Sequence, residues 1–65
     1  MEINEKLAKA VEESGVKQSF IANKIGISES VLSSLLSGKR NVMAEEFFEI
    51  CNLVHRNPIE VYEMK

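Results

Sequence analysis

Cysteine, histidine and proline each occur once in this 65-residue chain. No apolar run approaches the roughly 20 residues needed to span a membrane. The lone cysteine, Cys51, cannot form an internal disulfide, and its setting in "FFEICNL" predicts a small buried hydrophobe. The lone histidine, His55, has no cluster of Cys, Asp or Glu around it, so it reads as structural and not as a metal ligand. The start, "MEINEKLAK", places acids where a secretory leader has a basic and then an apolar stretch, and a soluble cytoplasmic protein with no membrane association is expected. No segment alternates with period two, there is no internal repeat, and no linker divides the chain, so residues 1–65 read as one all-helical domain. The serines have no adjacent His or Lys to activate them, and there is neither a Gly-rich phosphate loop nor a carboxylate pair clustered in a pocket. An enzyme is therefore not expected, nor is a cofactor or a metal.

Apolar residues make up 45% of the chain and charged ones 28%, the balance of a globular protein. A chain of this length buries only about 60% of its unfolded surface, so its stability is modest and self-association would add to it. The net charge of −2 hides an uneven distribution. Residues 1–16 carry −2, residues 17–40 carry +3 from Lys17, Lys24, Lys39 and Arg40 against Glu29, and residues 41–65 carry −3.

The basic third also holds the segment "SESVLSSLLS", residues 28–37, in which five serines are interleaved with Val31, Leu32, Leu35 and Leu36. At 100° per residue Ser30, Ser33, Ser34 and Ser37 fall on one stripe of a helix, and the leucines gather opposite. One face is core. The other is small, uncharged and able to hydrogen-bond, whereas an ordinary solvated helix face is filled with Lys and Glu.

Five helices are expected in all. The first covers 3–14, with Leu7, Ala10, Val11 and Ser14 at helical spacing, Asn4 available as its cap and Gly15 as its stop. The second runs from Gln18 to Lys24, where Phe20, Ile21, Ala22 and Ile25 recur at three- and four-residue steps, and ends at Gly26. Ser28 caps the third, which lasts to Leu36 before Gly38. The fourth covers Ala44–Leu53 and buries Phe47, Ile50, Cys51 and Val54. The last is a short turn opened by "NPIE", with Asn57 as cap, Pro58 in the first helical position and Glu60 completing a capping box.

The connection between the second and third helices is three to four residues long and contains Gly26, a spacing that joins two short helices at a fixed crossing. The segment from Gln18 to Ser37 resembles the helix-turn-helix of the phage repressor and Cro-type (XRE-like) DNA-binding family. Gln18, Ala22 and Gly26 match that family's Gln, Ala and Gly, with Ile21, Ile25 and Ile27 around the turn and Leu32 and Leu35 anchoring the next helix. "SGKR" resembles the segment that follows the recognition helix, and "EFFEICNLVHRNPIEVY" resembles the fourth helix and what comes after it. Two positions depart from the pattern. His55 and Arg56 stand where a Gly and a buried aliphatic are common, and His tolerates the left-handed conformation better than most residues. Glu29 puts an acid early in the recognition helix.

The resemblance implies a compact, five-helix, lambda-repressor-like domain and a Cro- or repressor-like regulator that reads the major groove of a double-stranded operator with its third helix. Carried over residue by residue, Glu29, Ser30, Val31, Ser33 and Ser34 are the base readers, and Lys17, Gln18, Ser37, Lys39 and Arg40 hold phosphates. A homodimer on DNA is expected, with Ile59, Val61, Tyr62 and Met64 as the apolar surface that joins the copies. The alternative is a protein-interaction module of the same fold, such as an antirepressor that binds a partner repressor; the acidic ends favour it because they oppose approach to DNA.

Overall fold

The computed structural model describes residues 2–65, and among these the chain forms α1 (Ile3–Ser14), α2 (Gln18–Ile25), α3 (Glu29–Ser37), α4 (Ala44–Leu53) and α5 (Pro58–Tyr62) with no strand. The ends of the helices follow from local chemistry. Gly15, Gly26 and Gly38 all take positive φ, a backbone conformation that strains a residue with a side chain even though the space around each is open. At the ends of α2 and α3 the amides of Ile27 and Lys39 reach back to the carbonyls of Ala22 and Ser34, at 3.0 and 2.9 Å. The end of α4 makes the same bond from Arg56 to Cys51, at 2.9 Å, and the left-handed residue there is His55, with φ of 57°. That is the role expected of it.

Two caps differ from expectation. Helix α1 begins one residue before Asn4, with Glu2 in the capping position, so the Asn4 side chain is free for another task, described below. Asn57 does cap α5, accepting the Ile59 amide at 2.8 Å, but Glu60 makes no return bond to it among the described residues. A carboxylate instead closes the start of α4: Glu46 accepts the amide of Met43 at 3.0 Å.

The buried side chains form one cluster to which every helix contributes: Leu7, Ala10 and Val11 from α1, Ile21 and Ala22 from α2, Leu32, Leu35 and Leu36 from α3, Phe47, Ile50 and Cys51 from α4, and Val61 from α5. Leu7, Ile21, Leu32, Leu35 and Ile50 expose no surface, and each contributes on the order of 1.5–3 kcal/mol by its removal from water. Cys51 lies within this cluster as a free thiol, and burial pushes its pKa above the ordinary value. Val61 belongs here too. It is 2% exposed, which corrects its assignment to an interface: the turn of α5 points it inward and leaves Ile59 and Tyr62 outside. Phe20 is likewise not core. It is 46% exposed, and the ammonium of Lys24, one turn on, lies 5.6 Å from its ring centroid.

Candidate nucleic-acid interface

Helices α2 and α3 are packed on each other, and Ala22 of α2 is buried in the core. The link between them is fixed by three hydrogen bonds. Ile27 donates to the Ala22 carbonyl, the Ser28 hydroxyl accepts the Val31 amide at 3.1 Å, and the Ser28 carbonyl accepts the Leu32 amide at 3.0 Å. Ser28 therefore satisfies one of the amides left free at a helix start, and α3 leaves the turn in a set direction.

Leu32, Leu35 and Leu36 anchor α3 in the core, and the opposite face is the serine stripe. Ser30, Ser33 and Ser37 are exposed, while Ser34 and Val31 are half-buried at the margins of that face. The Ser37 hydroxyl donates to the Ser34 carbonyl at 3.1 Å and so retains only acceptor capacity outward. Glu29 is exposed in the first turn of α3, where the partial positive charge of the helix start favours an acid. An acid at that position therefore has a structural cause.

The residues carried over as phosphate ligands are in two places. Lys17 and Gln18 are exposed at the start of α2, with Lys17 in the capping position. Lys39 is exposed just beyond the end of α3, next to Gly38. Arg40 differs from the other four, Ser37 at the end of α3 included, because it is half-buried and its guanidinium lies 2.9 Å from the Glu46 carboxylate. Asn4, missed as a functional residue in the sequence, donates from Nδ2 to the carbonyls of Leu35 at 2.7 Å and Arg40 at 2.9 Å. It ties the start of α1 to the end of α3 and to the loop that follows. No local signal marks such a contact, because its partners are 31 and 36 positions away.

A second surface lies between α4 and α5. An apolar groove of about 430 Å3 is lined by Ile3, Val42, Phe47, Phe48, Ile59 and Tyr62, among others. Phe48 is 57% exposed, Ile59 66% and Tyr62 65%. Met64 is half-buried and lies elsewhere, against Ala10, Arg56 and Val61. No group of three or more His, Cys, Asp or Glu able to hold a metal is found among the described residues. No helix among the described residues is long and apolar enough to cross a membrane.

Two short helices joined by a glycine turn, with the second anchored in the core by one face and exposing the other, define a helix-turn-helix DNA-binding protein of the regulatory class. A family model described as helix-turn-helix matches residues 7–60, and the chain belongs to that family, the Cro- and repressor-like (XRE) helix-turn-helix proteins. This is a family of DNA-binding regulators and not of enzymes. Searches of curated proteins and of solved structures find no match.

Proposed function

We propose that the protein is a sequence-specific transcriptional regulator of the Cro or repressor type, which inserts α3 into the major groove and binds its operator as a homodimer. The observation that carries this reading is the exposed face of α3, where short hydroxyl side chains and no cation occupy the central turns. Serine lets a helix backbone approach the base edges closely, and its hydroxyl pairs with a donor or an acceptor. In this reading Glu29, Ser30, Ser33 and Ser34 address bases, Val31 touches a thymine methyl, and Lys17, Gln18, Ser37, Lys39 and Arg40 fix the register on phosphates.

Dimensions and surface support the dimer. The protein is 28 Å in its longest direction, and one copy does not reach two half-sites about 34 Å apart, so a palindromic operator needs a second copy. Ile59 and Tyr62 with Phe48 supply the apolar contact; Met64 is at most peripheral to it, and Val61 supports it from the core. Selection of bound sites from random duplexes is expected to return a two-fold symmetric motif. Recovery of no motif would overturn the reading.

The acidic flanks and the same groove support a second reading, an antirepressor-like module that captures a partner repressor. Its signature is the absence of a recovered DNA motif together with a stoichiometric complex with that repressor.

A further inference from the structure

We propose that Glu46 is a positioning residue for DNA binding: it holds the Arg40 guanidinium ready for a phosphate, although a carboxylate near DNA should by charge alone oppose binding. The proposal rests on the assignment of Arg40 to the phosphate group. Arg40 is pinned at both ends. Its carbonyl accepts from Asn4 at 2.9 Å, and its Nη1 meets Glu46 Oε2 at 2.9 Å. Glu46 is itself held in place, because its other oxygen accepts the Met43 amide at the start of α4 and its side chain is only 14% exposed. The Arg40 side chain is 37% exposed, while Nη1 is enclosed and makes no aligned hydrogen bond; the charge contact with Glu46 is what holds that arm inside, and the rest of the side chain keeps access to solvent.

A guanidinium carries five donors in a rigid plane, and fixing one arm orients the others. A free arginine must lose its rotamer freedom when it meets DNA, whereas this one has lost much of it on folding. The Asn4 bond to the Leu35 carbonyl, at 2.7 Å, ties the same loop to the last turn of α3. The phosphate contact and the base-reading face are thereby held in one register.

The test compares two variants that remove the same charge. Glu46→Gln keeps one acceptor oxygen, enough to receive either the Met43 amide or the Arg40 guanidinium, and Glu46→Ala keeps none. Binding of the intact protein to its selected operator duplex, followed by fluorescence anisotropy across a salt series, is expected to be about 3–10-fold weaker for Glu46→Ala, the size of ordering one long side chain. Glu46→Gln, which can still hold Arg40 through its one carbonyl oxygen, is expected to bind more tightly than Glu46→Ala. In an Arg40→Ala background the loss caused by Glu46→Ala should vanish. Equal strengthening by both Glu46 variants would reduce Glu46 to bulk charge and overturn the proposal. Should Glu46→Ala fail to fold, as circular dichroism would show, Arg40→Lys replaces it: a similar salt slope with weaker binding supports positioning of the fork, and unchanged affinity overturns it. If Arg40→Ala changes neither affinity nor salt slope while operator binding persists, the phosphate assignment of Arg40 falls and the proposal with it, whereas loss of all operator selectivity in the unchanged protein would overturn the regulatory reading itself.

Discussion

Lys6 closes onto Tyr62 across 56 positions of sequence, donating from Nζ to the Tyr62 carbonyl and lying 5.1 Å from the centroid of its ring. The contact joins α1 to the last helix and covers part of an otherwise open aromatic side chain. Ile59 has no such cover. Replacing Ile59 by Glu is therefore expected to prevent association of two copies on a full operator while changing folding stability by less than about 1 kcal/mol, as for other exposed positions. Sedimentation and the steepness of operator titration check it; an unchanged dimer would move the interface elsewhere. Truncation after Asn57 is a poorer test, because it also removes Val61 from the core.

Adjacent residues on α3 should give opposite results. Leu32 has no exposed surface, and Leu32→Ala is expected to cost about 2–5 kcal/mol, enough to unfold much of a small domain. Ser33 is exposed, and Ser33→Leu should leave the melting transition nearly in place while abolishing preference for the operator over random duplex. A melting temperature lowered as far by Ser33→Leu as by Leu32→Ala would place Ser33 in the core.

Glu29→Gln separates the two roles of an acid at the start of α3. Loss of its interaction with the helix dipole should lower stability by about 0.3–1 kcal/mol. Affinity for non-specific DNA should rise because a repulsive charge is gone, and one operator position should shift from cytosine toward adenine. Identical motifs recovered with and without the change would remove Glu29 from the base readers.

His55→Gly is expected to stabilise the fold by about 0.5–1 kcal/mol. A residue with a Cβ at φ of 57° is strained in a way glycine is not, and the relief exceeds the extra freedom glycine gives the unfolded chain. Chemical denaturation measures the shift. A lower midpoint would mean that the imidazole makes a stabilising contact outweighing the strain.

Much of the helical framework was legible in sequence because its signals are local. Glycines at 15, 26 and 38, Ser28 before α3 and Asn57 before α5 act within a few residues of themselves. The serine stripe is a consequence of periodicity alone. What sequence did not reveal depends on packing between helices. In the short α2, Phe20, Ile21, Ala22 and Ile25 allow more than one apolar face, and the neighbouring helices decide in favour of Ile21 and Ala22. In α5 a single turn holds both the inward Val61 and the outward Ile59 and Tyr62, and only contact with α1 and α4 settles which is which. The commitments of Asn4 and Arg40 were hidden for the same reason, since polar side chains at such positions look equally suited to solvent.

Cys51 turns the core into its own alarm. Its sulfur is shut among helices and its thiol is held away from the reactive anionic form, so a small thiol reagent in solution has nothing to attack while the protein stays folded. Each time the helices part, the sulfur is exposed and can be captured irreversibly. With one cysteine in the chain, the labelled fraction reads directly as a record of opening, with no second site to confuse it. When reclosing outpaces capture that record gives the equilibrium population of open molecules, and when capture is faster it gives their rate of opening.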